Sequence, residues 1–353
     1  MARNILRSAG IVGAFAFSGL FLFLAFNKVD WSEIRRALAG ANHGLVFLGA
    51  MIGLGGFVVR AFGWKFLLAP VGQVSGWRLF SPVAIGYMAN NLLPARLGEF
   101  ARAYVVGRRE NFSKSAALAT IMIERIFDGL ILLLILATIS IFFPFAAWVK
   151  QSGILVAAAF LFVSLCLVLV AVKSEWIVWG IDAILGPILP GMAVRMKSRL
   201  QNFVVGLDFK NHYPTVALAF VFTALRWAFE ACIYLSVILA LGLQDRVPIH
   251  GALFVMVAVN IACMIPQAPG FVGSVQIACI QALAVFGVDR ETAVAYSLLV
   301  HAAFFFPITL VGIFCLAQSR FSFTEISKSH QRSGWGDSVA TPSRPPGKQK
   351  LIA

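Results

Sequence analysis

Six stretches of the chain, near residues 9–26, 45–68, 115–143, 153–172, 215–241 and 293–317, are almost unbroken runs of apolar residues. A helix needs about 20 such residues to cross the hydrocarbon of a bilayer. Of the 353 residues, 60% are apolar and 12% charged, whereas a soluble domain carries about 25% charged residues. Too little polar surface remains to cover a water-soluble globule of this size, so the main solvent is lipid. The same figures exclude disorder over most of the length, and five Cys are too few for a disulfide scaffold.

The first run follows Arg3 and Arg7 like a secretory signal, but it continues to Phe26 without a cleavage pattern after it and reads as a retained anchor. Two further stretches are interrupted. Residues 79–93 are apolar for only about 15 positions before Asn90, Asn91 and Pro94, which suits a re-entrant segment. Residues 251–287 hold two short runs split by Pro266, Pro269, Gly270 and Gly273. Prolines and glycines at that density cannot continue a helix, so this is a loop between two short spans or the tip of a buried hairpin. The fold expected is an all-α polytopic membrane protein of about eight transmembrane helices, with one or two re-entrant or interrupted segments. It divides into a transmembrane domain over 1–320 and a basic, Ser- and Pro-rich tail over 321–353, disordered from about 325.

The net charge of +14 would suggest nucleic acid in a soluble protein. In a membrane chain it marks cytoplasmic loops and anionic headgroups, so no nucleic-acid partner is expected. Basic residues gather at the N-terminus, in 94–114, in 173–213 and in the tail. All of these are cytoplasmic together if 79–93 turns back, which places both termini inside and 27–42, 144–152 and 242–250 outside. Segment 174–205, with Trp176 and Trp179, is expected along the interface.

Charge inside lipid costs about 2.5–3.5 kcal/mol per residue near the bilayer centre. Glu124, Arg125 and Asp128 fall on the 115–143 helix, with Glu124 and Asp128 one turn apart on one face. They belong at a cytoplasmic-side mouth or facing a protein cavity. Arg226 and Glu230 lie near the middle of 215–241, and Arg60 a little inside the centre of 45–68. The plain alternative for Arg226 and Glu230 is a self-satisfied pair that only locks helix packing.

The densest polar constellation is Asn90-Asn91-Leu-Leu-Pro94-Ala-Arg96-Leu-Gly98-Glu99-x-x-Arg102. Pro94 and Gly98 free backbone groups to line a cavity, Arg96 and Arg102 suit a phosphate, and Glu99 could orient an arginine or pair with Arg125. The break at Pro266–Gly273 resembles this segment, and each break follows a helical arginine by about 30 residues: Arg60 before Asn90, Arg226 before Asn260. That is the pattern of an inverted-topology repeat, whose interrupted segments meet at a central site.

Catalytic signatures are absent: no Gly-rich phosphate loop, no His-Glu-x-x-His and no Gly-x-Ser-x-Gly. The five His are isolated, with His301 read as a hydrogen-bonded helix residue, and the five Cys lack metal spacing. Neither a cofactor nor a metal is expected, and the chain is not expected to be an enzyme.

The run from Asn91 to Arg102, then Glu124-Arg125-x-x-Asp128, then Ile265-Pro266-x-x-Pro269-Gly270-x-x-Gly273, resembles the transmembrane flippase-like domain of the lysylphosphatidylglycerol synthase/flippase family. The resemblance covers about residues 5–320. It implies an inner-membrane protein that handles lipids with polar headgroups, and stand-alone relatives are associated with polyprenyl-lipid and hopanoid metabolism. By matching motif it implies headgroup-site roles for Asn91, Pro94, Arg96, Gly98, Glu99 and Arg102, with Glu124, Arg125 and Asp128 as their partners. The Pro269, Gly270 and Gly273 turn, Arg226 and Glu230 complete the expected site. One departure stands out: where the family commonly has a Glu after the Pro-Gly-x-x-Gly turn, this chain has Ser274-Val275-Gln276, which weighs against a cationic-headgroup preference. The soluble aminoacyl transferase domain of the bifunctional members is missing, so that activity is not carried over. The function expected is a lipid flippase or lipid-handling transporter for a phosphate-containing or polyprenyl/hopanoid lipid. The alternative is a membrane-embedded enzyme or accessory in glycosyl-lipid or hopanoid modification. Expected partners are membrane lipids, with a second copy or a biosynthetic enzyme as the protein partners to be considered.

Overall fold

A computed structural model describes residues 16, 18–93, 97–142, 147–172, 174–207, 213–264, 269–319 and 321–327. All regular structure among them is helical. Of the first expected run, residues 18–26 are helical. The 27–42 connection, expected as a loop, carries helix α1 (Trp31–Gly40), started by Asp30, whose side chain accepts from Ser32 N at 2.7 Å.

Four helices follow. α2 (His43–Leu67) and α5 (Lys114–Phe142) are long, and α3 (Gly76–Leu92) and α4 (Gly98–Arg109) between them are short. Then come α6 (Ala147–Val172), α7 (Ser174–Leu185) and α8 (Pro190–Val205). The long-short-short-long order recurs in α9 (Tyr213–Ala240), α10 (Ile249–Ala262), α11 (Ser274–Ala284) and α12 (Arg290–Ala317). A short α13 (Phe323–Ser327) closes the described chain. By length and composition α2, α9 and α12 can each cross a membrane.

Packing follows the same duplication. α2 lies against α9 at the centre; α1, α2 and α3 pack on α12, and α8, α9 and α10 pack on α5. Within each half the first short helix folds back on the second, α3 on α4 and α10 on α11. The segment 94–114, expected as a basic connection, is in fact largely α4, which buries residues 101–107. Its small residues Gly98, Ala101, Ala103 and Gly107 are all buried.

The α2–α9 seam is a stripe of glycines. Gly49 faces Ser236, Gly53 faces Ile233, Gly56 faces Phe229 and Gly63 faces Phe222, a descending register that makes the two helices antiparallel. A Cβ at Gly56 would sit 3.1 Å from Phe229 Cβ, and one at Gly63 would sit 2.9 Å from Phe222 Cβ. Without a hydrophobic drive between helices in lipid, such close backbone approach supplies the packing attraction.

α7 and α8 pair with each other, and α8 rests on α5. Trp176 and Trp179 are exposed at 73% and 74%, which fits an interfacial segment. Of the expected tail, residues 321–327 are described, with α13 over Phe323–Ser327. Ile326 is fully buried and packs in one cluster with Ile85, Met88 and Tyr104, so the chain stays docked through α13. The rest of the expected tail, from 328, lies outside the described residues.

Candidate functional site

Charged side chains from four helices converge on one buried layer. α5 supplies Glu124, Arg125 and Asp128, α2 supplies Arg60, α4 supplies Arg102, and α9 supplies Arg226 and Glu230. The i, i+4 spacing of Glu124 and Asp128 aims both at the bundle interior, where neither would be tolerated by lipid. Arg60, Arg102, Glu124, Asp128, Arg226 and Glu230 are each no more than 6% exposed. These are three cations and three anions, so the buried set is neutral, with Arg125 as a partly exposed cation at its edge.

Glu124 is the hub. Arg102 grips it with both terminal nitrogens, Nη1 to Oε1 at 2.9 Å and Nη2 to Oε2 at 2.7 Å. Arg60 Nη1 and Arg125 Nη2 donate to the same carboxylate, the latter at 2.7 Å. Asp128 is the bridge. It accepts from Arg60 Nη2 at 3.1 Å and from Trp227 Nε1 at 3.0 Å, and pairs with Arg125 Nη2 at 3.1 Å and Arg226 Nη2 at 3.4 Å. Arg226 Nη1 donates to Glu230 Oε2 at 2.5 Å, and Asn260 of α10 donates to Glu230 Oε1 at 2.9 Å. Arg226 and Glu230 are therefore joined to the α5 carboxylates rather than isolated on their own helix.

Aromatic rings floor the layer. The Arg102 guanidinium lies 3.7 Å from the centre of the Trp64 ring, and that of Arg226 lies 3.7 Å from the centre of Trp227. Tyr87 on α3 accepts from Arg125 Nη2 at 3.4 Å. Two small cavities flank Arg226 where the glycine stripe leaves space. One lies among Arg60, Trp64, Glu124 and Thr223 and the other among Gly53, Gly56, Glu230 and Phe304, each with room for about one water.

The interrupted segments form a second group. Asn91, buried at the end of α3, donates to Thr309 Oγ1 of α12 at 2.7 Å and reaches Phe305 O at 3.5 Å. The short 3-10 turn Pro269–Phe271 packs against α3, and a Cβ on Gly270 would sit 3.6 Å from Asn91 O. The two breaks thus face each other. Gly270 and Gly273 have φ of +77° and +96°, which explains glycine at both. Gly273 N donates to Gln276 Oε1 at 2.7 Å, and Gln276 Nε2 lies 3.0 Å from His301 Nδ1. Gln276 is thereby tied to the turn, and His301 has the helix hydrogen bond expected of it.

Some expected partners differ. Glu99 accepts from Asn90 Nδ2 at 3.3 Å, while Asn90 Oδ1 accepts from Gly98 N at 2.7 Å, so Glu99 helps fix the start of α4. Arg102, expected to meet a phosphate, already has a bidentate carboxylate. Pro94 and Arg96 lie outside the described residues, as does Pro266. Sequence reasoning missed Trp64, Tyr87 and Trp227. Trp227 follows Arg226 directly, and a tryptophan beside an intramembrane arginine is a signal that could have found it.

The comparisons with known proteins agree on one family. Residues 11–312 match the lysylphosphatidylglycerol synthase TM region. Over 344 residues the chain is 27% identical to a protein of Haloferax volcanii named glycosyltransferase AglD, in a match covering 88% of this chain and 54% of that one. The chain therefore spans about half the length of that relative. It is 23% identical over 316 residues to a UPF0104 membrane protein of Methanothermobacter thermautotrophicus, covering 84% of this chain and 91% of the other. The UPF0104 membrane protein MJ1078 of Methanocaldococcus jannaschii is 26% identical over 235 residues, or 63% of this chain and 90% of that one. No solved structure matches.

Proposed function

The chain belongs to the family of the lysylphosphatidylglycerol synthase transmembrane region, and from that premise we propose that it is a lipid-handling transporter of the cytoplasmic membrane. Its cargo is a lipid with a polar, phosphate-containing headgroup. The observation that carries this reading is the buried layer joining Arg60 to Arg226 through Asp128 across the antiparallel α2–α9 seam. A purely structural ion cluster could be replaced by apolar residues at little cost, and charges at membrane depth mark pathways.

Support also comes from the duplicated order of helices. On this reading α2 to α5 and α9 to α12, whose order and packing are alike, are an inverted-topology repeat with α3–α4 and α10–α11 as re-entrant hairpins from opposite faces. Their tips meet at Asn91 and Gly270. Transport sites in such folds lie near the midplane between interrupted segments. Rocking of one repeat against the other would part the seam and expose the layer to each leaflet in turn. On this reading both termini are cytoplasmic.

A second reading rests on the match to a protein named as a glycosyltransferase. In it the chain is the membrane partner of an enzyme that modifies a glycosyl lipid. Leaflet-resolved lipid analysis of a deletion strain separates the two. A normal lipid total with an altered distribution between leaflets supports transport; loss of one lipid species supports the enzyme partner.

A further inference from the structure

Each arginine of the buried layer can offer a two-pronged edge, made of Nε and one terminal nitrogen, that matches two oxygens of a carboxylate or phosphate. In Arg60, Arg102 and Arg125 the terminal nitrogen Nη2 of that edge already donates to Asp128 or Glu124. Arg226 differs. Nε is without a hydrogen-bond partner in all four arginines, but in Arg226 so is Nη2: only Nη1 is hydrogen-bonded, to Glu230, and Nη2 has only the 3.4 Å ion contact with Asp128. A guanidinium 6% exposed with that edge unfilled is unusual, because buried donors are ordinarily satisfied.

The surroundings fit a ligand rather than a packing fault. Both cavities of the layer are lined by Arg226, one on each side along the α2–α9 seam. Gly53, Gly56 and Gly63 remove the side chains that would close them. Trp227 holds the guanidinium by its face, which leaves the edge free for an in-plane partner. In this closed arrangement each cavity has room for about one water, so a larger group enters as the seam parts.

We infer that the Nε/Nη2 edge of Arg226 is the binding site for a single oxyanion presenting two oxygens, of the phosphate class. The inference rests on the transport reading only for its source, a lipid phosphodiester. A free phosphate shares the chemistry and would enter by the same cavities. Arg102, although nearer the sequence motif, is occupied by Glu124 and takes no part in the contact.

The test uses the full chain in a phosphate-free maltoside detergent. Dioctanoyl phosphatidylglycerol, dioctanoylglycerol and inorganic phosphate are titrated separately, with tryptophan fluorescence read against a Trp227→Phe control. The expected result is a saturable change with the phospholipid and none with dioctanoylglycerol. Arg226→Lys, which keeps the charge but loses the edge, should weaken binding by about tenfold or more. Should that variant not fold, the comparison of the three probes on the wild type decides by itself. Saturation by inorganic phosphate as tightly as by the phospholipid supports the site with a free anion as its source and counts against the lipid reading. No saturation by either phosphate, or equal binding by folded Arg226→Lys, overturns the inference. Lipid movement by the same preparation in vesicles without any phosphate-dependent binding would leave transport standing and remove the site.

Discussion

Arg60 and Arg226, on helices that run in opposite directions, reach the same oxygen of Asp128, at 3.1 and 3.4 Å. One carboxylate thus ties the two halves of the molecule at their seam. Removing its charge leaves two buried cations short of a partner. Breaking such a group costs about 3–5 kcal/mol, so Asp128→Asn should lower thermal stability in detergent by that order. An unchanged melting curve would mean that the layer is open to water.

Arg102 holds Glu124 through a bidentate pair, beside the contacts of Arg60 and Arg125 to the same carboxylate. Glu124→Gln alone should destabilise by about 3–5 kcal/mol. Adding Arg102→Gln should recover part of that loss, because the orphaned cation is removed with it. Chemical denaturation of the two single variants and the double variant measures the coupling, and simple additivity would argue against the pair.

Gly312 of α12 is where α3 crosses most closely: an added Cβ would lie 2.6 Å from Ala84 O and would overlap Met88 Cβ. Backbone cannot yield as a side-chain tip can, so Gly312→Ala should cost about 1–3 kcal/mol. At Gly180 the same addition meets nothing within 4 Å, and Gly180→Ala should leave stability unchanged to within about 0.5 kcal/mol. Thermal melts of the two variants give the contrast directly.

The proposed inverted repeat, with both termini inside, sets the face each connection would occupy. With native cysteines replaced, Lys197→Cys on α8 should react with an impermeant maleimide only from the cytoplasmic side, and Asp245→Cys, beyond α9, only from outside. Labelling of both from one side would remove the opposed entry of the two hairpins.

The apolar runs showed most of the helices because length and hydrophobicity alone decide what can sit in lipid, and residues 45–68 and 215–241 became α2 and α9 almost unchanged. The charges at 60, 124, 128 and 226 were also conspicuous, since lipid makes them costly. Their pairing was not. That Asp128 meets Arg226 depends on the register of α5 against α9, which no local pattern encodes. α4 was hidden for a different reason. Its charged ends, Glu99 to Arg102 and Arg108 to Arg109, look like a loop until Glu124 neutralises Arg102 in the interior. α1 was missed because its polar face and Asp30 cap lie in a stretch too short to register as a run.

Transport itself is tested most directly by reconstituting the purified chain into vesicles with a fluorescent phosphatidylglycerol and following its loss to a membrane-impermeant reductant. The account predicts that wild-type vesicles lose the inner-leaflet label well beyond the rate of protein-free vesicles, and that Glu230→Gln, which weakens the hold on Arg226, slows this by about tenfold. Label retained as in protein-free vesicles, for this lipid and for polyprenyl phosphate alike, would contradict it.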